Sequence, residues 1–136
     1  MNVGAFLTKA ARVYPARVAV TDGSIELRYD ELDAQAAAFA DGLRRRGYEP
    51  GDRVVIFMPN RPEYLTVLFG LFKGGFVAVP VNAKLHSSEL GFIVEHSGAR
   101  AVVFSAKTSD TVEAALRSVP GVERIDIDRG GASGGP

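Results

Sequence analysis

Apolar residues recur along this chain with two alternating periods. From Val3 to Tyr14 they fall at Val3, Leu7, Ala10, Ala11 and Tyr14, which is helical spacing, and Pro15 ends the run. In "RVAVTDGSIELR" two short β-prone runs flank Asp22-Gly23, a dipeptide that tolerates positive φ, so a hairpin is predicted. Tyr29–Gly47 carries a stripe of Leu32, Ala36, Phe39, Ala40 and Leu43 on one helical face. Asp30 and Glu31 open that helix, Arg44–Arg46 close it in accord with its dipole, and Gly47 follows as its cap.

Beyond this point the pattern becomes regular. "RVVIFM" is a continuous apolar run with β-branched members, as expected of a strand covered on both faces. In "PNRPEYLTVLFGLFKGG", Asn60 is placed to cap a helix, Pro62 suits its first turn and Glu63 suits a capping box. Apolar residues run nearly all round that helix, so it needs cover on more than one side. Phe69→Asp is accordingly expected to unfold the protein. "FVAV" reads as the next buried strand, "SSELGFIVEHSG" as a helix with Leu90, Ile93 and Val94 on one face, "RAVVFSA" as a third strand, "DTVEAALRSV" as a helix and "VERIDID" as a fourth strand.

The predicted fold is therefore α/β: a mostly parallel sheet with flanking helices in the order β-α-β-α-β-α-β, preceded by an N-terminal helix and a hairpin. Residues 1–128 form the folded unit, and "RGGASGGP" makes 129–136 a flexible tail.

Composition narrows the function classes. With 136 residues and 46% apolar content the chain suits one domain with a real core. Sixteen basic residues balance sixteen acidic ones, which gives no electrostatic reason to expect nucleic acid or an anionic membrane as partner. The apolar run Tyr64–Phe72 stops at Lys73, Gly74 and Gly75, so no transmembrane segment is predicted. No leader-like apolar stretch stands at the N-terminus, and a cytoplasmic protein is expected. The absence of cysteine removes thiolate chemistry and disulfides.

Candidate chemistry is sparse. "FKGG" reverses the order of a phosphate-binding loop and sits at a helix C-terminus, where carbonyls point outward; it is a cap, not a nucleotide cradle. His86 and His96 lack partners at metal or triad spacing. Arg44–Arg46 reads as a solvated helix end. Asp30, Glu31 and Glu63 are explained as helix starts. No catalytic residue and no metal ligand are assigned.

The long run from "LRYDEL" to "ARAVVF" resembles, in order and spacing, the N-terminal part of the AMP-forming acyl-CoA synthetases, the adenylate-forming ligases. "RYDEL" is similar to that family's Ser/Thr-Tyr-x-Glu-Leu helix start. "GDRVVIFMPNRPEYL" is similar to its Gly-Asp strand and Asn-led helix. "LFKGGFVAVPVNAKL" is similar to its Lys-x-Gly to Pro-x-Asn segment. Arg28 and His86 stand where the family usually has a hydroxyl N-cap, so each is expected to weaken its helix start by about 1 kcal/mol, with Ser87 or Ser88 replacing the second cap.

The resemblance implies a parent reaction of carboxylate, ATP and CoA giving acyl-CoA, AMP and pyrophosphate, with ATP, Mg2+ and CoA as the full-length family's cofactors and fatty acids or related acids as substrates. It makes the remainder of the ligase, on the same or a separate chain, the expected partner, and leaves a homo-oligomer open. The family's ATP-binding loop and adenylation lysine match nothing in these residues, so the chain alone is expected to be catalytically silent. One binding residue is implied: Lys84 in "VNAKL" takes the place of a basic residue that approaches a CoA phosphate in some acid–CoA ligases; an exposed loop lysine is the alternative. Two rival readings stay open. One is a partner-binding or regulatory module derived from that family. The other is a flavodoxin-like nucleotide binder with its ligand near Pro59-Asn60 and Pro80–Asn82.

Overall fold

A computed structural model describes residues 4–129. Helix α1 (Gly4–Val13) leads into a hairpin of β1 (Val18–Asp22) and β2 (Ile25–Arg28). Four strands then alternate with helices: α2 (Tyr29–Arg45), β3 (Arg53–Phe57), α3 (Pro62–Gly74), β4 (Val77–Pro80), α4 (Ser87–Ser97), β5 (Ala101–Phe104), a 3-10 turn at Ala106–Thr108, α5 (Ser109–Leu116) and β6 (Glu123–Asp126). The predicted order is present. The tail expected over 129–136 lies, from residue 130 onward, outside the described residues.

The four-stranded sheet is parallel throughout, in the order β4-β3-β5-β6. The first strand of the series therefore sits inside, and the chain reverses its lateral direction around it. Alternate residues of β3 serve opposite faces, as the period of two requires. Val54, Ile56 and Met58 join Phe39, Leu43, Val67 and Leu71 on the α2–α3 side. Val55 and Phe57 join Leu90, Val94, Val112 and Leu116 on the α4–α5 side. Strand β5 splits the same way, with Ala101 and Val103 on the first side and Val102 and Phe104 on the second.

All five residues of the predicted α2 stripe are buried. The apolar circumference of α3 is shared between two clusters. Tyr64, Val67, Leu68 and Leu71 pack toward the sheet. Leu65 and Phe69 pack with Leu7, Leu27, Leu32 and Ala36 of α1, β2 and α2. The chain thus covers this helix itself, which removes the reason for invoking a partner there. Its end follows the predicted logic: Gly75 adopts φ 76°, and the N–H groups of Gly75 and Phe76 donate to the carbonyls of Phe72 and Leu71.

Several expectations are corrected. "FVAV" is not a buried strand: β4 is a sheet edge, with Val77 43% exposed, and Pro80 is tolerated because an edge needs no ladder bond from it. The hairpin loop is Gly23-Ser24, closed by the Asp22–Ile25 pair, and only Gly23 (φ 61°) takes positive φ, the pattern of a II′ turn. The N-cap of α3 is Arg61, not Asn60, and Glu63 pairs with the Arg61 guanidinium (3.0 Å) rather than closing a capping box on the N-cap N–H. His86 does cap α4: its Nδ1 accepts from the Ser88 N–H (3.2 Å) while Glu89 accepts from the His86 N–H (3.1 Å). An imidazole nitrogen with a free lone pair serves as well as a hydroxyl. Arg28 has no acceptor to offer α2; there the Glu31 carboxylate receives the Arg28 N–H (2.9 Å), and the guanidinium pairs with Asp30 (3.0 Å).

Candidate functional site

Three connections meet at the carboxyl ends of the strands, because in a parallel sheet every strand ends on the same edge. After β3 come Met58, Pro59 and Asn60, and after β4 come Val81, Asn82, Ala83 and Lys84. The connection after β5 supplies Lys107 and Thr108. With Tyr64 of α3 and Pro80 these residues line a cleft of about 580 Å3. It lies where the chain reverses direction about β3, the switch-point position at which open α/β sheets receive ligands. A second groove of about 350 Å3 adjoins it between the hairpin and α3, and the two share Asn60 and Tyr64.

Local hydrogen bonds fix each wall. The Val81 N–H continues the ladder to the Ile56 carbonyl (3.0 Å). The Asn82 side chain accepts from the Lys84 N–H (2.9 Å), forming a turn that holds the Lys84 backbone. Thr108 Oγ1 donates to the Phe57 carbonyl (2.8 Å), tying the β5–α5 connection to the end of β3. The Ser105 hydroxyl beside it is buried, 1% exposed, without a hydrogen-bond partner among the described residues.

A charged network braces one side of the rim. Arg61 binds Asp128 through both terminal nitrogens (2.9 and 3.2 Å) and Glu63 through Nε (3.0 Å). Asp128 also accepts from the Ala106 N–H (2.8 Å). The Arg61 hydrogen bonds, followed for Asp128 by the Ala106 amide, hold both carboxyls below their ordinary range. Burial pushes the Tyr64 hydroxyl up.

The network has a pH consequence. A carboxyl whose folded pKa is depressed contributes stability that is present above its unfolded pKa and is lost as pH falls through the folded value. Arg61→Met is therefore expected to lower stability by no more than about 1 kcal/mol near neutrality, since the pairs are partly exposed. Urea melts should show the gap to wild type undiminished above about pH 5 and closing below about pH 4, the ordinary carboxylate range. A gap that widens in acid would show that the pairs are not the cause.

The expected ligand zone at Pro59-Asn60 and Pro80–Asn82 coincides with the cleft, and Lys84 lies on it. His86 is the adjacent helix cap, while His96 stacks on exposed Phe92 (5.2 Å), away from the residues that line the cleft. Sequence reading missed Tyr64, Lys107 and Thr108. The signal for Lys107 was its place in the connection just after the apolar run "AVVF", as Lys84 lies in the connection after "FVAV". Another residue read only as helix punctuation, Lys73, is a half-buried partner of Asp33 (2.6 Å) and Thr8 and ties α3 to α1 and α2. Among the described residues no three His, Asp or Glu side chains gather to hold a metal ion, and no helix is long and apolar enough to cross a membrane.

A family model described as AMP-binding enzyme matches residues 7–133. The chain is 38% identical over 113 residues to a feruloyl-CoA synthase from an Amycolatopsis species, covering 83% of this chain and 23% of that protein. It is 36% identical over 115 residues to the long-chain-fatty-acid–CoA ligase FadD13 of Mycobacterium tuberculosis, with the same two coverages. Among solved structures, the N-terminal domain of FACL13 from Mycobacterium tuberculosis superimposes with a TM-score of 0.88 at 31% identity, covering 100% of this chain and 38% of that one. The chain thus spans about a quarter of the length of the curated relatives it matches.

Proposed function

Because the chain belongs to the AMP-binding enzyme family of acyl-CoA synthetases, whose N-terminal region it matches, we propose that it is the N-terminal scaffold of an AMP-forming acid–CoA ligase. The parent reaction joins a carboxylate to ATP, releasing pyrophosphate, and then transfers the acyl group from the adenylate to the thiol of CoA, releasing AMP. Residues 1–128 act as one subdomain of that enzyme, which works in the cytoplasm on fatty acids or related acids; the remainder of the ligase fold is its partner.

The observation that carries this reading is the cleft. Its polar groups are two lysines, two asparagines, a tyrosine and a threonine, and it contains no histidine or carboxylate. Such a set suits binding and orienting an anion, and it holds no histidine–carboxylate pair of the kind that activates a nucleophile. Stabilising charge at the reacting phosphate and acyl carbon falls to residues of the remaining fold. No step is assigned to Mg2+, for which no three His, Asp or Glu side chains gather among the described residues. CoA, a substrate of the parent reaction, fits better: Lys84 is an exposed ammonium group at the cleft, held at its backbone by Asn82, and meets a CoA phosphate as a point charge.

The proposal is tested by pyrophosphate exchange with ATP and a panel of fatty and aromatic acids. The 136-residue chain alone is expected to give no exchange. The chain joined to the complementary remainder of a related ligase is expected to restore it. Turnover by the chain alone would overturn the silent role, and a folded but inactive joined protein would overturn the scaffold role.

A further inference from the structure

We propose that His86 makes the start of α4 a pH-sensitive latch, closed while the imidazole is neutral and released when it takes up a proton. The latch holds the far end of the connection between β4 and α4, residues 81–86. Its release loosens that end and leaves the sheet intact.

The geometry of the cap carries this. Nδ1 of His86 accepts the Ser88 N–H (3.2 Å) and lies 3.1 Å from the Ser88 hydroxyl. Accepting the N–H needs the Nδ1 lone pair, so the closed ring is neutral, with its hydrogen on Nε2. A proton and the Ser88 N–H compete for that one lone pair. Protonation turns the acceptor into a donor and leaves a first-turn N–H without its partner. It also sets a positive charge at the positive end of the helix dipole. Imidazole is the side chain that ordinarily makes this change between about pH 5 and 8. A hydroxyl cap, usual at this position in the similar ligases, has no such proton to gain, so the sensitivity belongs to this chain.

The surrounding charges bear on the size of the effect. On α4, Glu89 accepts the His86 N–H (3.1 Å), and its carboxylate offsets part of the charge on a protonated ring. Lys84 stands two residues back on the same connection and adds to that charge. The neighbouring α5 packs on α4 through Val112 and Leu116 against Leu90 and Val94. Both helices begin at the carboxyl edge of the sheet, and Lys107 and Asp110 are the charged residues around the start of α5. Among the described residues the imidazole is hydrogen-bonded to Ser88 alone. Stability from the cap is therefore present while the ring is neutral and is lost as pH falls through its titration.

The near end of the connection has anchors that do not titrate. The Val81 N–H donates to the Ile56 carbonyl (3.0 Å). Asn82 accepts from the Lys84 N–H through its side chain (2.9 Å) and from the Leu85 N–H through its carbonyl (3.1 Å). Release is thus confined to the stretch from His86 into the first turn of α4, where the Leu90 N–H donates to the His86 carbonyl (3.0 Å).

Amide hydrogen exchange of the 136-residue chain, followed by NMR between about pH 7.5 and 5.5, tests the latch while carboxylates stay charged. The background is His96→Gln, because His96 is the other histidine of the chain and sits in the last turn of the same helix. After correction for the intrinsic pH dependence of exchange, protection of the Ser88 and Leu90 amides is expected to fall about 3- to 10-fold in acid, the order for one N-cap. Amides of β3 and β5 should keep their protection, and the Ser88 amide shift should titrate together with the His86 ring signals. His86→Ser in the same background should abolish the response. In urea melts it should gain stability relative to its parent as pH falls. Protection at Ser88 and Leu90 that does not change with pH overturns the latch. A response of equal size in His86→Ser also overturns it, since the titrating group then lies elsewhere, as does a stability gap between the two chains that is independent of pH.

Discussion

Leu71→Asp is expected to leave the chain unfolded at 25 °C, with no cooperative thermal transition by far-UV circular dichroism. Leu71 is 0% exposed and packs among Val54, Ile56, Val67, Phe76 and Val103, between α3 and the central strands. Removing the leucine from that position alone costs about 2–5 kcal/mol. A carboxylate in its place has no cation within the cluster, and burying it adds several kcal/mol more. Together these reach the net stability of a domain, about 5–15 kcal/mol. Leu71→Met keeps volume and polarity and should cost less than about 1.5 kcal/mol. Phe69→Asp, which the sequence also marks as disruptive, is expected to do less than Leu71→Asp, because Phe69 is only partly buried and lies in the outer cluster against α1 and the hairpin. A cooperative melt in Leu71→Asp near the wild-type temperature would refute the assignment of α3 to the sheet face.

Gly74→Ala is expected to destabilise the chain by about 1–3 kcal/mol although alanine is the better helix former. A Cβ at position 74 would lie 2.2 Å from Cε2 and 2.6 Å from Cδ2 of Phe76. That ring is 4% exposed and meets Tyr48 edge-on at 6.3 Å. Tyr48 in turn lies under the Arg100 guanidinium (4.0 Å) and donates to Glu123, so the pair has no free direction in which to retreat. The gain in helix propensity is at most about 1 kcal/mol, and less at the last residue of a helix, so the overlap wins. Urea denaturation of Gly74→Ala, Phe76→Leu and the double variant tests the cause. The double variant should be more stable than the two separate losses predict, because the smaller side chain vacates the overlapping space. Strict additivity would place the loss elsewhere.

Much of this architecture was legible without coordinates. The α2 stripe is buried at all five predicted positions because a 3.6-residue period is a local property of the backbone. "RVVIFM" read as a strand covered on both faces, and Val54 to Phe57 are buried on both; "AVVF" read as a strand and is one, buried at all four positions. Helix ends marked by Gly75 and Gly98 fall where the glycines place them, each with positive φ. The same local reading failed where composition is shared by different environments. "FVAV" looks like "AVVF", yet one is an edge and the other internal. His86 looked like a lost cap because hydroxyl and carboxamide residues dominate the usual preferences, although its ring nitrogen accepts the same bond.

The site divides in the same way. Lys84 and the strand ends at Pro59-Asn60 and Pro80–Asn82 were identifiable from motif and fold class, whereas Lys107, Tyr64 and the anchoring bond from Thr108 to Phe57 were not. By itself the sequence determined the kind and order of the elements, the residues each turns inward and the family to which they correspond, because these follow from short-range periodicity and turn chemistry. Only the tertiary structure decided that β3 lies between β4 and β5, that α3 is covered from two sides and that two distant lysines share one cleft. Those outcomes depend on the lateral reversal of the chain around β3 and on packing between residues far apart in sequence, and no local pattern encodes either.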